Sequence, residues 1–361
     1  MSLDSRTIVI KVGSSSVTPE TVTRLGSEIA TAREAGHTVV VVTSGAIAAG
    51  WGILGRGERR PNDPAVLQAV SAVGQPRLMR MWQDALDPHH LLAGQVLLAP
   101  LDFVHRTQYL HARGTLAHLT ELGVVPVVNE NDAVADEEIR FGDNDRLAAL
   151  VAHLVGAQLL ILLTDTPGLL TGDPRHFAEA SLIEEVVEID HQLEQLAGGA
   201  GSVVGSGGMA SKLAAAKIAT WSGVETVIAD AARPGVVGAV LDGTPGAGTV
   251  FRARESRLSA RKLWIAFALG SSGSLTVDEG ARSALAGGGK SLLPAGVTSA
   301  SGAFNPEDAV EIAGPDGTVF AKGLVRVPGD RSAQWIGRRS DQLPDDLSAI
   351  VVHCDDLVLV R

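Results

Sequence analysis

Two lysines stand where this sequence can handle phosphate. Lys11 is followed by Val12-Gly13-Ser14, and Lys212 ends the stretch Gly205-Ser206-Gly207-Gly208-Met209-Ala210-Ser211-Lys212. A lysine beside a glycine neutralises phosphate charge while the bare backbone lets amides approach the oxygens. The second stretch opens an Ala-rich helix running to Trp221, so glycine amides and a cation share one helix N-terminus. It is no Walker loop, because Ala210 replaces the last glycine and Leu213 follows the lysine. Gly205, Gly207 and Ala210 also fit the dinucleotide fingerprint G-x-G-x-x-A of an oxidoreductase, but residues 202–204 make a poor strand to precede it. Thr43-Ser44-Gly45-Ala46 leads straight from strand to helix, a third place where amides face an anion.

The acids gather at the ends of elements. Asp143 taken alone is a helix N-cap, and Asp145 a first-turn acid that complements the dipole. Together with Asp132, Asn131 and Asn144 they suit a ligand ammonium or a magnesium-bound phosphate. Thr164-Asp165 closes a fully apolar run, where a carboxylate is costly unless paired, and the lysines are its natural partners.

The elements that must position these groups read as α/β. Residues 7–12 and 38–42 are buried parallel strands, and Thr18-Pro19 starts a helix between them that Gly36 ends. Further strands are predicted over 124–128, 159–163 and 224–229, separated by helices. A mostly parallel sheet with helices on both faces follows, and its polar clusters all fall at the carboxyl ends of strands. Residues 252–261 are charged and read as a linker or connecting helix. From Gly270 onward short strands alternate with turns such as Asn305-Pro306 and Pro315-Asp316-Gly317, a small β-rich domain.

Composition limits the alternatives. The 361 residues suffice for two domains, and 45% hydrophobic with 20% charged residues is globular. A net charge of −11 gives no general attraction for nucleic acid or anionic membrane, so any polyanion site must be local. With one cysteine, Cys354, the sequence predicts no intrachain disulfide and no cysteine zinc site. The uncharged run 147–164 contains His153, Gly156 and Gln158 and reads as helix then strand rather than a membrane span. The first residues lack the apolar core of a signal peptide, so a cytoplasmic protein is expected.

Taken in order, Lys11-Val12-Gly13-Ser14, Thr43-Ser44-Gly45-Ala46-Ile47, Val73-Gly74-Gln75, Asn129-Glu130-Asn131-Asp132, Phe141-Gly142-Asp143-Asn144-Asp145, Thr164-Asp165 and Gly207-Gly208-Met209 through Lys212 resemble the amino-acid kinase family. Leu275-Thr276-Val277-Asp278-Glu279-Gly280, Lys290-Ser291-Leu292-Leu293-Pro294 and Gly323-Leu324-Val325 resemble a PUA domain. Two stretches depart from the family pattern. Thr166-Pro167-Gly168-Leu169-Leu170 lacks the usual second acid and tyrosine, and Leu101-Asp102-Phe103-Val104 replaces a charged stretch.

The resemblance implies a kinase domain over 1–255, a linker over 256–270 and a PUA domain over 271–361. The first would be a three-layer sandwich around a mostly parallel sheet. The implied reaction is ATP-dependent phosphorylation of the side-chain carboxylate of L-glutamate to L-glutamyl 5-phosphate, the first step towards proline. Another carboxylate, such as aspartate, is the alternative acceptor. Lys11, Lys212 and Asp165 are the expected catalytic residues, Asp165 orienting both lysines. Ser44, Gly45, Asp132, Asp143, Asn144 and Asp145 are expected to bind the amino acid, Asp143 and Asp145 favouring its ammonium. Lys11, Gly13, Thr164, Asp165, Ser206, Gly207, Gly208, Met209, Ala210, Ser211 and Lys212 are expected to contact ATP. Mg2+ is expected between the phosphates, its protein ligands unassigned. Also implied are a homo-oligomer, feedback by proline and a glutamyl-phosphate reductase partner. From Gly270 twelve Asp and Glu stand against eight Lys and Arg, which opposes RNA binding by the PUA domain.

Overall fold

In the computed structural model the described residues are 5–55, 63–103, 105–134, 144–172, 177, 179–197, 208–255 and 258–360. The chain divides into two compact units, Met1–Leu258 and Ser259–Arg361. The first is built on β1 (Thr7–Val12), β2 (Thr38–Val42), β3 (Ala93–Leu98), β4 (Val125–Glu130), β5 (Leu159–Thr164), β6 (Glu185–Val186), β7 (Glu225–Asp230) and β8 (Thr249–Phe251). These form one sheet in the order β3-β4-β2-β1-β5-β7-β8-β6. The strands from β3 to β7 run parallel; β8 lies antiparallel to β7, and β6 pairs parallel with β8.

Its helices are α1 (Pro19–Glu34), α2 (Ala46–Leu54), α3 (Pro64–Leu86), α4 (Arg106–Glu121), α5 (Asn144–Leu154), α6 (His191–Ala197), α7 (Met209–Trp221) and α8 (Val236–Leu241). Strand periodicity sorts them into layers. Ile8, Ile10 and Val12 of β1 join one core with Val22, Leu25 and Ile29 of α1, Leu78 and Trp82 of α3, and Val236 and Val240 of α8. The alternate residues of β1, Val9 and Lys11, point to the opposite face. There α5 lies on β1 and packs against α7. Ala148, Ala149 and Ala152 of α5 and Ala215, Ala216 and Ala219 of α7 are all buried. Side chains this small let two helices approach closely, and that approach decides the site.

The five expected strands are present, each within two residues of its predicted ends. β3 has no counterpart in the sequence reading: it opens on Ala93-Gly94-Gln95 and is half-exposed at the sheet edge, so no continuous apolar run marks it.

The second unit carries β9 (Gly273–Val277), β10 (Val297–Gly302), β11 (Ala309–Ala313), β12 (Val319–Val325) and β13 (Val352–Leu359), paired as β10-β9-β11-β12-β13. Short helices α9 (Ala260–Leu263), α10 (Glu279–Ala286) and α11 (Ser332–Trp335) accompany them. Leu275, Val310, Ile312, Trp335 and Val352 are at the centre of its own core. Among the described residues no helix of the chain is long and apolar enough to cross a membrane.

Candidate active site

The parallel register brings the polar clusters to one edge. Lys11 pairs with Val42 and Leu162, so β1, β2 and β5 finish side by side. β2 runs on into Thr43-Ser44-Gly45, β4 ends at Asn129-Glu130, and β5 ends at Thr164 before Asp165. β2 and β5 flank β1 on opposite sides, the arrangement that opens a crevice beyond the strand ends.

Two helices start at this edge without a side-chain cap. α2 begins after Gly45, whose φ of 104° lies in the left-handed region that suits glycine, and α7 begins after Gly208. By contrast α1 and α3 are capped by Thr18 and Asp63. First-turn amides that no side chain caps are the groups that bind phosphate oxygens.

Among the described residues Lys11 and Lys212 share one acid, Asp145. Lys11 Nζ lies 2.5 Å from Asp145 Oδ1, and Lys212 Nζ 3.1 Å from Asp145 Oδ2. Ser211 Oγ donates to the same Oδ2 at 3.0 Å. All three charged groups are buried, with Asp145 at 0% exposure. Burial by itself pushes the Asp145 carboxyl pKa up, but the charges of Lys11 and Lys212 and their hydrogen bonds hold it below the ordinary value. A Cβ built on Gly13 would sit 3.6 Å from Lys11 Nζ, so the glycine keeps the approach to the ammonium clear.

This geometry corrects two expectations. Asp145 binds the lysines, and with no exposed surface it is not placed to face a ligand ammonium. Asp165 is not the lysine partner: it is exposed, and its Oδ1 accepts a 3.1 Å hydrogen bond from Thr164 Oγ1. The turn after β5 carries Asp165 out to solvent, whereas the close α5–α7 packing sets Asp145 beneath both lysines. Thr164 itself is buried. Gly208, Met209, Ala210 and Ser211 form the start of α7 beside Lys212. Asp143, Ser206 and Gly207 lie outside the described residues.

Beside the lysines a chain of amides crosses the edge. Glu130 N–H donates to Asn129 Oδ1 at 2.9 Å, which fixes the Asn129 amide and turns its Nδ2 to Gln75 Oε1 at 2.8 Å. Asn144 Nδ2 lies 2.6 Å from Thr43 O, 2.9 Å from Ser44 Oγ and 2.7 Å from Asn129 Oδ1. Backbone groups at each end thus set the polarity of every amide between them. Asn144 Oδ1 accepts nothing from the described residues and is the atom left for a ligand N–H. Asp132, half-buried, accepts from Ser71 Oγ at 2.8 Å, and Trp82 Nε1 donates to Thr43 Oγ1 at 3.1 Å.

Ser71, Gln75 and Trp82 are supports that the sequence reading gives no role. A signal was there. Val70, Ser71, Gly74, Gln75, Leu78 and Trp82 follow helical spacing on the buried face of α3, and two polar residues on such a stripe must serve something polar.

The comparisons with known proteins follow the same division. Residues 6–230 match the model of the amino acid kinase family, and residues 273–345 that of the PUA domain. The chain is 45% identical to the glutamate 5-kinase of Mycobacterium ulcerans, over 99% of this chain and 97% of that protein. It is also 45% identical to the glutamate 5-kinase of Syntrophotalea carbinolica, over 98% and 97%. A carbamate kinase from Giardia lamblia bound to AMP-PNP superposes with a TM-score of 0.50 at 17% identity, covering 70% of this chain and 100% of that one, a likeness of fold. The chain belongs to the amino acid kinase family.

Proposed function

We propose that this chain transfers the γ-phosphate of ATP to the side-chain carboxylate of L-glutamate, giving L-glutamyl 5-phosphate and ADP. The observation that carries the proposal is the pair of buried lysines, Lys11 and Lys212, held on Asp145 at the strand ends. The choice of glutamate is supported by relatives named glutamate 5-kinase that align over nearly the whole chain.

The chemistry asks little covalent help from the protein. A carboxylate nucleophile is already ionised at neutral pH, so no general base is needed. Phosphoryl transfer then depends on alignment and on neutralising the phosphates. Lys11 and Lys212 neutralise the β- and γ-phosphates, and Asp145 holds both ammoniums in place. Amides at Gly13, at Gly45 and at the start of α7 receive phosphate oxygens. Asn144 Oδ1 and Asp132 accept from the amino acid's ammonium, while Ser44 fixes its position. Thr164 and Asp165 border the nucleotide.

Asp145 is committed to two lysines, so Mg2+ would be held chiefly by the nucleotide phosphates and supply further charge neutralisation there. The same reading extends to a cytoplasmic first step towards proline, with proline as regulator, a homo-oligomeric enzyme and a glutamyl-phosphate reductase consuming the product.

Trapping the acyl phosphate with hydroxylamine tests the acceptor. With ATP and Mg2+, glutamate is expected to give hydroxamate, and aspartate and N-acetylglutamate little. Hydroxamate formed faster from aspartate than from glutamate would replace glutamate as the substrate.

A further inference from the structure

β13 brings together three ligand-type side chains in the second unit. Between the pairs Gly323↔Leu357 and Val325↔Val352, β12 advances two residues while β13 advances five. The surplus makes an irregular bulge of residues 353–356. A bulge breaks the alternation that would send Cys354 to one face and its neighbours to the other. Cys354 Sγ lies 3.8 Å from His353 Nδ1 and 3.9 Å from Asp355 Oδ1, and His353 Nδ1 lies 3.5 Å from Asp355 Oδ2. Among the described residues no other group of three His, Cys, Asp or Glu side chains is this close.

With one ligand atom taken from each side chain, the three lie within 4.8 Å of one another. Tetrahedral zinc, with bonds of about 2.3 Å to sulfur and about 2.0–2.1 Å to nitrogen or oxygen, sets its ligands roughly 3.4–3.6 Å apart. Closing on one ion draws the three ligand atoms in from that 4.8 Å span to this spacing, a movement the exposed Asp355 side chain can make. His353 Nδ1 accepts a 3.3 Å hydrogen bond from Asp355 N–H, which assigns the ring proton to Nε2; a cation at this place takes the Nδ1 lone pair over from that bond. Ser291 Oγ accepts from Cys354 N–H at 3.0 Å and anchors the backbone. The next residue, Asp356, is committed to Arg261 at 2.6 Å and Arg326 at 3.4 Å. Asp355 has no Lys or Arg partner among the described residues, and its side chain is 82% exposed.

We propose that His353, Cys354 and Asp355 form a three-ligand site for a borderline-soft divalent cation of the zinc type, with the fourth position open to water. Binding replaces the thiol proton, which is released to solvent, and breaks the hydrogen bond from Asp355 N–H to His353 Nδ1, leaving that N–H to water. The expectation that one cysteine excludes a zinc site rested on cysteine pairs; here the other ligands are the cysteine's own neighbours. Mg2+ prefers oxygen ligands and does not compete for a thiolate site.

Co2+ added to the full-length chain is the probe. Cys354 is the one cysteine in the sequence, so a thiolate-to-metal charge-transfer band in the near ultraviolet reports this site alone. The expected result is a band that saturates at one equivalent, is displaced by Zn2+, and is accompanied by a rise in Tm. Cys354→Ser is expected to abolish the band, and His353→Gln and Asp355→Asn to weaken Co2+ binding at least about tenfold. All three substitutions fall in the second unit, at residues given no part in phosphoryl transfer, and are expected to leave that activity unchanged. Absence of the band in the wild-type chain overturns the proposal. Equal Co2+ affinity in wild type, His353→Gln and Asp355→Asn overturns it too.

Discussion

An ammonium is among the costliest groups to bury, yet Lys11 and Lys212 are only 2% and 4% exposed. Their shared contact with Asp145 makes this tolerable and sets the spacing of two cations that a polyphosphate needs. Lys212→Ala is therefore expected to lower kcat about a hundred- to thousandfold with little change in KM for glutamate, as steady-state kinetics would show. A near-wild-type kcat would remove Lys212 from the chemistry. Glycine neighbours mark both lysines in the sequence, Lys11 at a strand end and Lys212 at a helix start, but each pattern alone also fits an ordinary turn or glycine loop. Their acid carries no such mark. Asp165 closes an apolar strand and looks the more expensive of the two acids, whereas Asp145 looks like an ordinary first-turn residue. Local pattern does not say that α5 and α7 approach closely enough to set a first-turn acid beneath two lysines.

At the scale of the element, α3 is more than a layer of the core. Gln75 accepts from Asn129, whose Oδ1 accepts in turn from Asn144, so α3 helps decide which atom of Asn144 is turned to the proposed amino-acid pocket. Gln75→Leu leaves Asn129 Nδ2 buried without its acceptor, a loss of about 1–3 kcal/mol in general. Expected are a raised KM for glutamate and an unchanged KM for ATP; equal changes in both would mean that Gln75 supports the fold and not the amino-acid pocket. α3 also crosses α2 at a point where only glycine fits. A Cβ on Gly74 would lie 1.8 Å from Ala46 O, and one on Gly50 2.0 Å from Val70 O. Gly74→Val must drive the helices apart and is expected to cost at least about 1–3 kcal/mol, read as a fall in Tm. It should also shift the uncapped start of α2 and weaken activity in the fraction that remains folded. The five strands of the sheet centre were legible because burial on both faces writes them as apolar runs. β3, half-exposed at the edge, carries no such run.

For the molecule as a whole, the buried triad ties stability to pH. Asp145 is held below its ordinary pKa of 3.8, so its contribution is fully present above that value and is lost as pH falls through the lowered one. Acid unfolding of the wild-type chain should therefore be steeper than that of Asp145→Asn, which lacks this titration. Asp145→Asn should also be less stable at neutral pH by about 3–5 kcal/mol, since it leaves two buried ammoniums without their carboxylate. Parallel acid-unfolding curves for the two proteins would show that Asp145 titrates alike folded and unfolded. The division into a parallel-sheet unit and a β-rich unit was legible from the change in element length and turn density near Gly270. The cation cluster on β13 was not, because it depends on a bulge that no sequence period announces.

In the proposed reaction the side-chain carboxylate of glutamate attacks the γ-phosphate directly on the Lys11–Asp145–Lys212 platform. Glutamate labelled with heavy oxygen in that carboxylate tests it most directly. When the acyl phosphate breaks down by attack at carbon, the oxygen that bridged carbon and phosphorus leaves with phosphate. Inorganic phosphate carrying one labelled oxygen, formed by the wild-type chain and nearly absent with Lys212→Ala, is the expected result. Phosphate released without label would mean that water, not glutamate, accepts the phosphoryl group, and would contradict the claim.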